Sequence, residues 1–300
     1  MPTRAMLAPV PAPVLLVIVA IVSVQFGNAL AGSLFDSVGP IGAAALRLSL
    51  AAVVLLAVLR PRVRQWHRRT WLGALALGAA LAGMNALIYL AIDRIPLGVA
   101  VTIELLGPLA IAIIGTRRVL DLLWVGLAAS GVALLGLGDT GTLDLLGMVL
   151  AAGAAVFWAL YIVASARLGS GVIADDPGAA RGVDALAVAM MFGAIMVLPF
   201  GVAPAAAAIA LDPVVLAQFL GIAVLTSAVP YALEFLALRR MPKRVFGVLS
   251  SLGPALAALA GLIVLGQSLS PLQMVAIAAV IIASAGAVAS RRREVVPPVD

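Results

Sequence analysis

The sequence predicts an all-α integral membrane protein with ten transmembrane helices arranged as two inverted-topology five-helix repeats. Three observations carry that expectation. Hydrophobic residues make up 64% of the 300-residue chain and charged residues 11%, with a mean hydropathy of +1.21. A soluble domain cannot hide that much apolar surface, so lipid is the solvent for most of the chain. The basic residues sort to alternate loops, and a stretch around Tyr89 recurs around Phe235.

Charge-poor runs of the roughly 17–25 residues needed to cross a bilayer lie at 12–32, 40–59, 71–91, 96–115, 121–138, 145–166, 185–204, 213–238, 244–265 and 271–290. Each is expected to be a helix, because lipid offers no partner to an open backbone amide and no period-2 alternation suggests a barrel. The first run is too long for the apolar core of a signal peptide and lacks a convincing cleavage site, so it is read as a retained helix; it carries Gln25 and Asn28. The second contains Arg47. The third is rich in small residues (Gly73, Gly78, Gly83) that let helices approach in lipid, and it carries Asn85 and Tyr89. The fourth holds Glu104 and Pro108, and the fifth lies between Arg117-Arg118 and Asp139. The sixth repeats the small-residue theme with Gly147 and Gly153 and adds Trp158 and Tyr161. The longest loop, 167–184, is a short polar connection with no room for a soluble domain, and the seventh run follows it. The eighth carries Pro230, Tyr231 and Glu234, and the ninth Ser250, Ser251 and Pro254. The tenth ends at Arg291-Arg292-Arg293, before a short tail. Each internal proline removes a helical hydrogen bond and kinks its helix. Kinks paired by symmetry serve either as gates or only to shape a cavity.

With the amino terminus in the cytoplasm, the inside loops hold Arg4; Arg60, Arg62, Arg64, Arg68 and Arg69; Arg117 and Arg118; Arg167 and Arg181; Arg239, Arg240, Lys243 and Arg244; and Arg291, Arg292 and Arg293. Those are 17 of the 19 basic residues; Arg94 alone is outside and Arg47 lies within a span. Asp36, Asp93, Asp139, Asp144 and Asp212 fall in outside loops. So one-sided a distribution places both termini in the cytoplasm. The net charge of +6 is then a topology signal and a contact with anionic lipid, not a nucleic-acid surface, since the basic residues are scattered over short loops.

NALIYLAIDRIP at 85–96 matches YALEFLALRRMP at 231–242, and LLGPLAIAIIG at 105–115 matches SLGPALAALAG at 251–261. One offset of 146 residues superposes Pro96 on Pro242, Leu106-Gly107-Pro108 on Leu252-Gly253-Pro254, and Gly115 on Gly261. Residues 1–140 and 141–300 are therefore read as two repeats of five spans each. Five is odd, so the second repeat enters the membrane with opposite polarity, the architecture by which many secondary transporters build a site at the midplane.

Three charged side chains fall well within spans: Arg47, Glu104 and Glu234. Each costs roughly 2.5–3.5 kcal/mol to insert, so each needs a partner, a watery cavity or a function. Arg47 and Glu104 both lie roughly 10–12 Å below the outer end at about 1.5 Å per residue, a depth that lets them pair. One reading is a structural salt bridge between spans two and four. In the other, Arg47 takes a substrate carboxylate while Glu104 holds the substrate ammonium or a coupling proton. Glu234 lies about one turn from Arg239-Arg240, and is either interfacial or, on a helix bent at Pro230, turned into the cavity for proton coupling. Gln25, Asn28, Asn85, Tyr89, Trp158, Tyr161, Tyr231, Ser250 and Ser251 are the further polar and aromatic candidates for a substrate cavity.

The chain has no cysteine and one histidine, His67, so thiolate chemistry and histidine-built metal centres are excluded. No Walker, G-x-S-x-G, paired acidic metal or redox motif is present, so no cofactor is expected and the energy source is an ion or substrate gradient. A non-enzyme is therefore expected. The one hint of another class is Glu234 beside Arg239 and Arg240, which could suit a transferase acting on lipid substrates.

The stretches IPLGVAVTIELLGPLAIAI at 95–113 and VPYALEFLALRRMP at 229–242 resemble the EamA family of the drug/metabolite transporter superfamily. NALAGSLFDSVGPIGAAALRLSLA at 28–51 and FWALYIVASARLG at 157–169 resemble its branch of bacterial inner-membrane threonine/homoserine exporters. The resemblance implies export of small amino acids in exchange for protons, with Arg47, Glu104 and Glu234 on ionisable positions of that branch. A broader metabolite or drug exporter is the alternative, which 5% aromatic residues argues against. Substrate, protons and membrane lipid are the expected partners, and a homodimer is compatible with the sequence. Two positions depart from the family pattern. Gly253-Pro254 stands where relatives often read Glu-Pro, and Gln267 closes a Leu-Gly-Gln where Leu-Gly-Glu is usual. Glu104 and Glu234 are then the acids left for coupling.

Overall fold

A computed structural model describes residues 12–113, 119–137, 144–170, 182–238 and 243–290. These residues are helical throughout apart from short connections. The helices are α1 (Ala12–Gly32), α2 (Phe35–Leu59), α3 (Arg68–Ile92), α4 (Leu97–Glu104), α5 (Leu106–Ile113), α6 (Val119–Leu137), α7 (Leu145–Ser170), α8 (Gly182–Leu211), α9 (Val214–Ala223), α10 (Val229–Leu238), α11 (Lys243–Ser250), α12 (Gly253–Leu265) and α13 (Pro271–Ser290). Seven helices are long and apolar enough to cross a membrane, and shorter apolar helices at Leu97–Ile111, Leu122–Leu135 and Val214–Ala228 fall where the fourth, fifth and eighth spans were expected.

Three expected continuous helices are broken, each for an identifiable reason. The fourth run divides at Leu105 into α4 and α5, and the ninth divides at Ser251-Leu252 into α11 and α12. In both, a proline lies three residues beyond the break. Pro108 has no N–H for the Glu104 carbonyl and Pro254 none for that of Ser250, so the i→i−4 ladder fails at both places. The two breaks coincide under the offset of 146 residues. In the eighth run, a π-helical turn at Val224–Ala228 separates α9 from α10, with the Val229 N–H reaching back to the Val224 carbonyl. Pro230 follows immediately and leaves the Thr226 carbonyl without its helical donor. The seventh run is longer than expected, and α8 continues through Pro199 and Pro204. The start of α2 turns at Gly39, whose φ of +68° suits glycine, and the continuous helix begins at Pro40 as expected.

The bundle packs α2 against α8 and α9, α3 against α7 and α8, α1 against α10 and α12, α4 against α7 and α12, and α6 against α13. Its main core is built from small side chains, among them Ala43, Ala44, Ala45, Ala151, Ala154, Ala187 and Ala189, with Leu48, Leu77 and Leu81 between them. Lipid competes equally for apolar side chains, so close backbone approach and dispersion hold such helices together. Large apolar side chains such as Phe200, Leu122 and Val58 face outward, as a lipid solvent requires.

Candidate functional site

Three helices converge on Arg47. It projects from α2, seven residues after Pro40, and is half-buried. Its Nη1 donates to Asn28 Oδ1 on α1 at 3.0 Å and to Tyr89 Oη on α3 at 3.2 Å. The guanidinium carbon sits 5.4 Å from the centroid of the Tyr89 ring, within cation–π range. Tyr89 is fully buried and rests against Phe35 with ring centroids 5.5 Å apart. The cation is thus held by two neutral groups, Asn28 and Tyr89.

Glu104 terminates α4 and is 9% exposed. Arg47 acts on it electrostatically, yet no ion pair within 4 Å joins the two among the described residues. Of the two readings of this pair, the direct salt bridge is therefore not formed; Arg47 Nη1 bonds Asn28 and Tyr89 instead. Among the described residues the Glu104 carboxyl has neither a hydrogen bond nor an ion pair. A buried acid without a partner is costly.

The remaining candidates divide. Asn85 is buried one turn before Tyr89, but its Nδ2 donates to the Leu81 carbonyl of its own helix at 2.8 Å. Gln25 lies on the same α1 face as Asn28, is 7% exposed, and its Oε1 has no partner. Ser250 donates its hydroxyl to the Phe246 carbonyl at 2.9 Å, and Ser251 ties the second break to α13 through Ser284 at 2.9 Å. Trp158 and Tyr161 are half-buried on α7. Glu234, half-buried on α10, faces Tyr161 closely enough to act on it electrostatically, and Ser165 stands beside the same phenol. The Tyr231 side chain, Arg239 and Arg240 lie outside the described residues.

Sequence reasoning missed two contacts. Ser23 donates to the Leu225 carbonyl in the π turn at 2.6 Å, locking α1 onto the eighth span. The polar pair Thr226-Ser227 in an apolar run just before a proline was the available signal, and both are buried. Gln267, read only as a lost acid, accepts the Leu97 N–H at 2.9 Å and so caps α4 across 170 residues.

Between α3 and α7, Arg94 and Asp144 form an exposed ion pair at 2.7 Å, and Asp144 also accepts the Leu146 N–H at the start of α7. Those bonds, led by the one from Arg94, hold the Asp144 carboxyl below the usual carboxylate range. Its contribution to stability is present above the ordinary carboxylate pKa and is lost as pH falls through the lowered one. Because the pair is exposed, Asp144→Asn keeps the helix cap and is expected to leave the thermal midpoint in detergent near the wild-type value at neutral pH. A large drop would mean that the pair holds the two segments together.

No group of three or more histidine, aspartate or glutamate side chains able to hold a metal occurs among the described residues. The profile of the EamA-like transporter family matches residues 145–289. The threonine/homoserine exporter RhtA of Escherichia coli (strain K12) is 41% identical over 288 residues, covering 95% of this chain and 94% of that protein. The protein of the same name from Salmonella typhimurium (strain LT2) is 42% identical over 296 residues, covering 98% and 97%. A crystal structure of a further protein is alike over 93% of this chain at 22% identity and a TM-score of 0.49, too loose a likeness to inform any residue.

Proposed function

This chain belongs to the EamA-like transporter family, and from that premise we propose that it is a multi-pass bacterial inner-membrane exporter of small amino acids, threonine or homoserine above all, working by proton exchange and alternating access. The observation that carries the reading is the Arg47–Glu104 arrangement: two opposite charges inside the membrane segments, near enough to feel each other but not paired. A zwitterion fits between them, its carboxylate on the free edge of the guanidinium and its ammonium on Glu104. One carboxyl that serves either an ammonium or a proton makes the two occupants mutually exclusive, and mutual exclusion at a site open alternately to each side is antiport. Glu234, beside Tyr161, provides a second acid on the way to the cytoplasm.

The inverted repeat and cytoplasmic termini belong to the same proposal. Exchange α1 with α7, α2 with α8, α3 with α9–α10, α4–α5 with α11–α12, and α6 with α13. The contact of α3 with α7 then becomes that of α10 with α1, and α3 with α8 becomes α9 with α2. The α2–α8 and α6–α13 contacts map onto themselves, and that of α5 with α7 becomes that of α12 with α1. Two equivalent packings related by such an exchange are what alternating access needs.

Everted membrane vesicles expose the cytoplasmic face. With an acid interior they are expected to accumulate radiolabelled threonine above empty-vector vesicles, with homoserine competing. Absence of accumulation in vesicles that contain the protein would sink the substrate assignment and leave the fold untouched.

A further inference from the structure

The two Leu-Gly-Pro triplets occupy matching places, yet their glycines do different things. A Cβ at Gly107 would overlap the Ala155 carbonyl oxygen, so α5 is pressed onto the backbone of α7 and glycine is required there. Among the described residues a Cβ at Gly253 would meet one atom within 4 Å, Gln25 Nε2 at 3.7 Å, and the backbone there does not have positive φ. Neither packing nor conformation calls for glycine at 253. Its effect is to leave space at the first turn of α12, deep in the ninth span.

Among the described residues, the groups around that space lack partners of their own. The break before α12 leaves the Gly253 N–H without a helical acceptor among the described hydrogen bonds, and Pro254 leaves the Ser250 carbonyl without its donor. Gln25 is more than nine-tenths buried, its Oε1 is unpartnered, and its Nε2 faces Gly253. Two donors and two acceptors suit a group that both accepts and donates. A hydroxyl does so, and a methyl or a carboxylate does not. Gln25 is one helical turn from Asn28, which holds Arg47, so the two amides leave the same face of α1.

We propose that Gln25 and the first turn of α12, kept open by Gly253, form the subsite that recognises the side-chain hydroxyl of a transported hydroxy amino acid. The inference rests on the exporter reading above and adds what the site selects for. A hydroxyl in this place satisfies buried amides that an apolar isostere would leave bare, and that difference separates threonine from valine, which has the same shape.

The test is parallel uptake of radiolabelled threonine and valine into everted vesicles carrying wild-type protein, Gln25→Met or Gly253→Ala. Gln25→Met keeps the volume and removes the amide; Gly253→Ala places a methyl in the space at ordinary contact distance. The threonine-to-valine ratio is expected to fall about tenfold in each. Size-exclusion profiles in detergent confirm that each variant is folded. Wild-type ratios retained by both folded variants would overturn the subsite while leaving the exporter reading in place. Wild-type vesicles that take up no threonine would overturn the exporter reading and the subsite with it.

Discussion

Glu104→Gln is expected to lower gradient-driven accumulation of threonine in everted vesicles by about ten- to a hundredfold, the range set by losing one charge-assisted hydrogen bond of about 1.5–3 kcal/mol. The amide has nearly the shape of the carboxyl and cannot take up or release a proton in its place. Because the wild-type carboxyl has no partner among the described residues, the substitution breaks no contact and the protein should still fold. Threonine counterflow without a proton gradient divides the two roles of this acid. If counterflow survives, Glu104 carries the proton alone; if it disappears as well, Glu104 also holds the substrate ammonium. Glu234→Gln provides the comparison. It should slow gradient-driven uptake but keep counterflow, because Glu234 lies at Tyr161 on α7 and not in the Arg47 cluster. Accumulation unchanged in Glu104→Gln would end its candidacy for either role.

The second large effect concerns stability. Gly107→Ala drives a methyl into the Ala155 carbonyl of α7, a backbone atom that cannot swing aside as a side chain does. Overpacking of this kind costs about 1–3 kcal/mol or more, so a lower yield and a thermal midpoint several degrees lower are expected in detergent. Gly253→Ala, the same change at the equivalent place of the second repeat, should leave the midpoint near wild type, since its methyl meets only the Gln25 amide at 3.7 Å. Equal destabilisation of the two variants would show that the space at Gly253 is closed in the membrane.

Much of the bundle was legible because lipid enforces simple rules. Every backbone amide in the bilayer must be bonded, so an apolar run of sufficient length is a helix, and Pro108, Pro230 and Pro254 marked in advance the spans that break. Insertion costs singled out Arg47, Glu104 and Glu234, since a charge among apolar residues demands an explanation wherever it points. Partners were not legible. Depth along a helix places Arg47 and Glu104 at one level but says nothing of rotation, and it is rotation that turned the guanidinium to Asn28 and Tyr89. Nor does the run from Val224 to Ala228 announce a π turn, which lies where Ser23 donates to the Leu225 carbonyl and Pro230 offers no N–H to that of Thr226.

The sequence by itself determined an all-helical membrane protein, the membership of its family, and the positions of its intramembrane charges. Those follow from composition and from spacing along the chain, which the solvent reads residue by residue. Only the tertiary structure decided that Gln267 caps α4, that Glu104 stands without a bonded partner among the described residues, and that one Leu-Gly-Pro seals a helix contact while the other opens a space. Those depend on which helix lies opposite. Two identical triplets carry no record of whether the Ala155 backbone or the Gln25 amide will face them.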